Sequence, residues 1–456
     1  MTRALIFIPF SAIMLAGCSR TSLDLLCEDH FGQRAVPQCE RAVVDPPEMV
    51  MPEQAALEVL SAGCDIVALL ATEPNPVLYV SVDGGMTFGP ARSLPPNALL
   101  QNLGWPRDMP LAMAENGTLY VLSRGAEGLQ LNRSDDFAKT WDAPIDITKT
   151  KFSCDESLLM RGEEVNAIWS ECAQWPPREA HLARSRDGGR SFEPTVSVRT
   201  GERELTGGPV FCAAGARGMV GGRLECTGTD CVGDDRTGTA LGMVAISEGG
   251  QFSNQELFRL DNGDHAPVAG CSADGRALVT WSAKPYTGSI RDMVVAAVLP
   301  CGIVTETARF IGVRNDFLDP WSPTPVLGRN GALLFWGALF EMGSGIASVD
   351  AAGALISVTL DPDFNADGAH DIPLSACAFP EGGYALLTAG SDYLDGPMQA
   401  IAAFLTDDGT PAEVRVLGPL DDRPYGGWVR CDGRGRAHFF WKGDGHARYA
   451  AFRAAH

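Results

Sequence analysis

The sequence predicts an all-β chain built from repeated four-stranded antiparallel units. Three observations carry this reading. Beyond residue 56, apolar residues rarely recur at the helical 3.6 spacing and come instead in short β-branched runs cut by Gly, Asp, Asn and Pro. A hairpin unit recurs at a period of about fifty residues, within the range typical of repeat folds. An eight-residue pattern, S-x-D-x-G-x-[TS]-[WF], recurs with it.

The hairpin is plainest in Met113–Leu122, Cys271–Trp281, Val326–Trp336 and Cys431–Trp441, each with a turn residue at its bend. Further strands follow in Ile346–Val358 and Ala402–Val416. Counting units gives eight approximate spans: 57–98, 107–148, 151–200, 207–261, 266–313, 321–361, 372–419 and 425–456. Seven is the alternative, because unit boundaries are soft. The last span has three strands only, and the segment from Arg41 to Met51 can supply its missing outer strand. The 51 glycines and 30 prolines, about 18% of the chain against roughly 12% in average proteins, are the turn chemistry of such units.

The eight-residue pattern reads Ser81, Asp83, Gly85, Thr87, Phe88 in one copy and Ser185, Asp187, Gly189, Ser191, Phe192 in another. A third copy reads Ser134, Asp136, Thr140, Trp141, with Ala138 in the glycine position. Its aspartates lie 53 and 51 residues apart, and Ser247 to Phe252 looks like a shortened fourth copy. An aspartate can accept amide bonds within its own turn, and glycine supplies a positive φ. The pattern resembles the Asp-box (BNR) repeat of sialidase-like β-propellers. The resemblance implies a single β-propeller of four-stranded antiparallel blades, with the ring closed by N- and C-terminal strands. It also implies a structural role for the boxes. Sialidases usually have six blades, so the resemblance covers the blade type and not the whole architecture.

The N-terminus is of another kind. Arg3 is followed by an apolar run from Leu5 to Leu15, shorter than the roughly 20 residues of a membrane-spanning helix. It ends in Leu15-Ala16-Gly17-Cys18, which resembles the signal of a bacterial lipoprotein. The implied organisation is a signal peptide at 1–17, a lipidated Cys18, a linker and ring-closing strand over 18–56, and the propeller over 57–456. Residue 19 is Ser rather than Asp, which by the same resemblance points to the outer membrane.

Lipidation also bears on cysteine parity. Thirteen cysteines less Cys18 leave twelve, an even number, in an oxidising compartment. Cys27–Cys39 and Cys226–Cys231 are the first local pairs to consider. Cys64, Cys154, Cys212, Cys271, Cys377 and Cys431 occupy corresponding places near the ends of first strands. They are either small buried apolar residues or links between neighbouring units. Cys172 could close back to Cys154.

The formal charge is −21, with 36 basic and 57 acidic residues, which argues against nucleic acid. A 45% hydrophobic content excludes a disordered chain. Metalloprotease, serine-hydrolase, P-loop and dinucleotide motifs are absent, so neither zinc, haem nor a nucleotide is expected. Loops leading into the first strands gather Arg107, Asp108, Lys149, Lys151, Asp264, His265, Asp319, Trp321, His370, Asp371, Arg423 and Tyr425 at one phase of the repeat. Arg107, His265, Trp321, His370, Arg423 and Tyr425 are the candidate binding residues. Arg107, Asp108, Asp264, Asp319, Arg423 and Tyr425 are the candidate catalytic ones, arginine being suited to bidentate carboxylate binding. No complete sialidase set assembles itself from them.

Asp363, Asn365, Asp367 and Asp371 form D-x-N-x-D-G-x-x-D, with oxygen donors at alternate positions as Ca²⁺ requires. The motif resembles the calcium loops of FG-GAP and integrin-type propellers. The leading expectation is a lipid-anchored, non-enzymatic binding or scaffold module of the cell envelope. It would meet the membrane through its anchor and a protein or glycan ligand at its face or rim. A sialidase-like glycoside hydrolase and an accessory subunit of a larger envelope complex are the alternatives.

Overall fold

Alternation explains how these strands come to be buried on both faces. In Ile66–Thr72 the odd residues Val67, Leu69 and Ala71 pack with Met51, Val59, Phe440 and Tyr449. The even residues Ala68 and Leu70 turn the other way, to Leu78, Leu111, Leu119 and Val121. A strand covered on both faces has to be apolar at every position, which is why IVALLAT carries no polar residue before its last. Leu386 and Leu387 divide in the same way between two clusters.

The computed structural model describes residues 45–51, 55–72, 75–99, 110–149, 153–171, 180–197, 204–205, 210–214, 218–226, 240–248, 251–260, 267–272, 275–283, 291–298, 304–313, 323–337, 344–360, 362–364, 371–391, 398–421 and 427–453. Every regular element among them is a strand, and no helix is long and apolar enough to cross a membrane. The strands pair antiparallel into seven four-stranded sheets and one five-stranded sheet.

In chain order, sheet 1 comprises Ala55–Ala62, Ile66–Thr72, Val77–Ser81 and Arg92–Ser93. Sheet 2 comprises Leu111–Met113, Leu119–Arg124, Leu129–Ser134 and Ile145–Thr148. Sheet 3 has Ser153–Arg161, Glu164–Glu171, Ala180–Ser185 and Val196–Ser197. In sheet 4, Glu204–Leu205 and Val210–Ala214 both pair with one edge of Gly218–Cys226, followed by Ala240–Glu248 and Gln251–Leu260. Sheet 5 has Val268–Cys271, Ala277–Ala283, Arg291–Val298 and Val304–Val313. Sheet 6 has Thr324–Leu327, Gly331–Trp336, Gly345–Asp350 and Leu355–Leu360. Sheet 7 has Ile372–Ala378, Tyr384–Ser391, Met398–Leu405 and Pro411–Pro419.

Sheet 8 combines the two ends of the described chain. Gly427–Cys431, Arg436–Gly443 and His446–Arg453 supply three strands, and Met49–Met51 adds the fourth by pairing Met49 with Tyr449 and Met51 with Ala447. The first strands of successive sheets contact one another in order, and Gly427–Cys431 packs on Ala55–Ala62 to close the ring. The architecture is a single β-propeller of four-stranded antiparallel blades. Seven sheets have the plain four-stranded form, the number weighed as the alternative, and sheet 4 is the five-stranded one.

The core lies between sheets. Trp169, Trp281, Trp336 and Trp441, all in second strands, are almost wholly buried there. Each large apolar side chain so buried contributes about 1.5–3 kcal/mol. Cys212 of sheet 4 is bonded to Cys271 of sheet 5, and Cys377 of sheet 7 to Cys431 of sheet 8. Cys64 is disulfide-bonded as well. Of the two readings of the cysteines at corresponding places, these four therefore follow the second and link neighbouring sheets. Cys18, Cys27, Cys39, Cys172 and Cys231 lie outside the described residues.

The shortened fourth copy of the repeated pattern needs correction. Ser247 pairs with Phe252 and Glu248 with Gln251, so this is a tight hairpin continuous with its ladder. It leaves no room for a capped loop.

Candidate functional site

Three loops join third to fourth strands in sheets 1, 2 and 3, and one bonding scheme builds them all. The serine hydroxyl accepts the amide four residues on: Gly85 from Ser81, Ala138 from Ser134 and Gly189 from Ser185, each at 2.8 Å. The same hydroxyl donates to Oδ1 of the aspartate, at 2.7 Å for Asp83 and Asp187 and 2.9 Å for Asp136. That Oδ1 accepts the amide of Thr87, Thr140 or Ser191 at 2.9 Å. Oδ2 accepts their hydroxyls at 2.6, 2.7 and 2.6 Å. Both oxygens of each carboxylate are thus engaged by its own loop.

The electrostatics agree. Amide and hydroxyl donation from Thr140 pulls Asp136 down to about 2. The Ser191 and Ser185 hydroxyls do the same to Asp187, which lies well below the usual carboxylate range. Partial burial opposes the shift at Asp83, but donation from Thr87 and Ser81 still lowers it.

Each loop leans on the preceding sheet. A Cβ on Gly85, at φ +86°, would lie 1.9 Å from the Tyr449 hydroxyl of sheet 8, and Phe88 meets the Tyr449 ring edge-on at 5.0 Å. Gly189, at φ +79°, faces Leu131 and Tyr120 of sheet 2. In the second loop Arg92 of sheet 1 donates to the carbonyl of Phe137, and the Trp141 indole donates to Ser93 at 3.1 Å. Phe137 and Ala138 hold φ near +60° without glycine.

Ionisable side chains also join neighbouring sheets near their first strands. Glu156 of sheet 3 accepts from Arg124 of sheet 2 at 2.7 Å and from the Ser153 hydroxyl at 2.7 Å. Glu58 of sheet 1, 1% exposed, lies 3.2 Å from Arg430 of sheet 8. Burial pushes Glu58 up to about 7, while the Arg430 charge and the Val59 amide only partly offset it. Within sheet 8, Asp432 accepts from the Arg436 side chain at 2.8 Å and faces His438 Nε2 at 3.0 Å. His438 Nδ1 meets the Tyr449 hydroxyl at 2.7 Å. Burial holds His438 low despite Asp432. Burial would raise Asp432, but His438 and the Arg436 amide and side chain keep it lowered. An Asp–His–Tyr line of this kind suggests proton relay chemistry, yet all three side chains are closed to solvent or nearly so.

The expected face residues Arg107, Asp108, Lys151, Asp264, His265, Asp319, Trp321, His370, Arg423 and Tyr425 lie outside the described residues, as do Asn365 and Asp367. Lys149 is exposed, 3.8 Å from Glu127. Asp371 is fully buried and accepts the Phe364 amide at 2.6 Å, while its own amide donates to Pro362 at 2.7 Å. It therefore ties down the backbone at the start of the oxygen-rich loop, near Asp363. Among the described residues no group of three His, Cys, Asp or Glu is placed to hold a metal ion.

No protein family and no characterised protein matches this chain by sequence. Solved structures similar to it are distant. YCF48 from Cyanidioschyzon merolae is 15% identical over 76% of this chain and 97% of its own, with a TM-score of 0.37. A PL25 ulvan lyase, described as a polysaccharide lyase, is 11% identical over 84% of this chain and 98% of its own, with a TM-score of 0.44. A subtype N10 neuraminidase-like protein of A/little yellow-shouldered bat/Guatemala/060/2010 is 9% identical over 66% and 95%, with a TM-score of 0.35. Likeness at this level says nothing about activity.

Proposed function

We propose that this chain is an exported, lipid-anchored β-propeller that serves as a binding or scaffold module at the cell envelope. The observation that carries the reading is the pair of disulfides joining neighbouring sheets, since such bonds persist in an oxidising compartment. The Leu15-Ala16-Gly17-Cys18 sequence supports lipidation of Cys18 and an outer-membrane position. The three Ser–Asp loops are read as Asp-box repeats with a structural role, because their carboxylates are consumed by their own turns. Ca²⁺ is proposed at Asp363, Asn365, Asp367 and Asp371, where it would stiffen the loop leading into sheet 7. The ligand, protein or glycan, would meet the face carrying Arg107, His265, Trp321, His370, Arg423 and Tyr425.

Fractionation of cells making the wild type and Cys18→Ala tests the anchor. Wild-type protein is expected in the outer membrane with a diacylated N-terminal peptide, and the variant in the soluble fraction. An unmodified peptide spanning Cys18 would remove the anchor from the proposal. Turnover of sialosides or other glycans, abolished by Arg423→Ala or Tyr425→Phe, would replace the binding module with a glycoside hydrolase.

A further inference from the structure

The junction where the ring closes differs from a plain apolar seam. Glu58 sits in the first strand of sheet 1, at a register shift between Ala56 and Glu58 that departs from simple alternation. Its carboxylate is buried against sheet 8, where Oε1 accepts the Val59 amide at 3.0 Å and Arg430 approaches to 3.2 Å. Arg430 keeps about a third of its side chain in solvent (36%). Around this pair the Ser61 hydroxyl donates to the Cys431 carbonyl at 3.1 Å, and Arg434 bonds Asp65 at 2.8 Å.

Other charges near the junction are engaged elsewhere. Ile66–Thr72 and Leu111–Met113, which flank Glu58 on its own side, carry no ionisable group. From sheet 8, Arg436 and His438 face Asp432, and Lys442 faces Asp421. Arg448 faces Asp444 and Glu48, and Arg453 faces Asp45. His446 lies at the far end of its hairpin, opposite Gly443, and Tyr449 bonds His438. Among the described residues, Arg430 is the cation that acts on Glu58.

We propose that Glu58 and Arg430 form a proton-sensitive clasp at the junction of the first and last sheets, and that this junction is most stable when Glu58 is neutral and makes no demand on Arg430. A buried ion pair recovers its desolvation cost only when further donors saturate the carboxylate. Here one amide and one partly solvated guanidinium do not, as the raised Glu58 value of about 7 reflects. The folded value lies above the unfolded one of 4.5. The extra stability is therefore fully present below pH 4.5 and is lost as pH rises through about 7. Neutral Glu58 needs no counter-charge, and Arg430 then keeps its hydration. Because Glu58 and Arg430 lie in the first and last sheets, the stability lost as Glu58 ionises is that of the ring closure rather than of one hairpin.

Unfolding temperatures of the full chain, Glu58→Gln and Arg430→Met between pH 5 and 8.5 test this. Glu58→Gln is expected to match the wild type at pH 5 and to exceed it by a few degrees at pH 8. At pH 8, amides of Ala55–Ala62 and Gly427–Cys431 should exchange about tenfold more slowly in Glu58→Gln than in the wild type. Arg430→Met should cost more at pH 8 than at pH 5, a readout that survives if Glu58→Gln fails to fold. A constant difference across pH, or a Glu58→Gln less stable than the wild type at pH 8, overturns the clasp.

Discussion

Sheets 1 to 3 and sheets 6 and 7 answer one packing problem with different loops. In these five sheets the turn between the third and fourth strands rests against the preceding sheet. Sheets 1 to 3 use the wide Ser–Asp loop with an aromatic at its end. Sheets 6 and 7 use short turns. Asp350 accepts the amides of Ala352 and Ala354 at 2.8 and 2.9 Å, and Gly353 at φ +80° sits against Thr307 and Ala297 of sheet 5. Asp408 accepts the Thr410 amide at 3.0 Å, and its carbonyl takes the hydroxyls of Ser348 and Ser357 of sheet 6. Gly409, at φ +83°, touches Ser348 and Leu333. The shared device is a carboxylate that caps loop amides, a left-handed residue and a lean on the neighbour. Loop length and the aromatic are additions to it. Near the first strands the two regions differ again: Arg124 meets Glu156 between sheets 2 and 3, whereas Cys377 meets Cys431 between sheets 7 and 8.

The largest effect should come from the covalent link. Replacing Cys377 and Cys431 together by serine is expected to cost about 2–5 kcal/mol in urea unfolding. An unchanged midpoint would mean that the link adds nothing to the apolar cluster around it.

Next in size are the loop glycines. Gly85→Ala should lose about 3 kcal/mol, because strain at positive φ adds to a collision with the Tyr449 hydroxyl. Gly409→Ala should lose only about 1 kcal/mol, since its nearest neighbour is 3.6 Å away. Equal losses would show that the wide loops lean no harder than the short turns.

Smaller still is the acid limb. Asp136 and Asp187 are depressed below the ordinary aspartate value of 3.8, Asp136 to about 2. The contribution of Asp136 is present above pH 3.8 and lost as pH falls through about 2, and that of Asp187 is lost in the same direction. Thermal melts of Asp136→Ala and Asp187→Ala should therefore fall less steeply than wild type between pH 4 and 2. A parallel fall would assign the acid limb to other groups.

Gly435→Ala in the first hairpin of sheet 8 should match Gly409→Ala. With φ +77° and no atom within 4 Å, only backbone strain of about 1 kcal/mol is expected. A larger loss would reveal packing at a turn where none is described.

Much of the fold was legible because its signals are local. A turn residue announces a hairpin from its own neighbours, and an apolar strand read at every position announces burial on both faces, as in IVALLAT. The Ser–Asp loops were legible for the same reason, since the bonds of Asp83, Asp136 and Asp187 close within four residues. Ser247 to Phe252 misled because a serine and an aromatic at nearly the right spacing also suit a tight hairpin, and only the ladder register distinguishes the two. Glu58 was missed altogether. In sequence it is one acid in an apolar strand, and the cation that faces it is carried by the last sheet.

By itself the sequence determined an all-β repeat, the phase of its turns, and an N-terminal segment able to complete the last blade. All three follow from interactions within a hairpin or from the two-residue period of a strand. Only the tertiary structure decided which cysteines pair, which carboxylates are buried with which guanidiniums, and how the ring closes on Glu58. Those contacts pass between sheets, and strand alternation specifies a face without specifying the neighbour that will cover it.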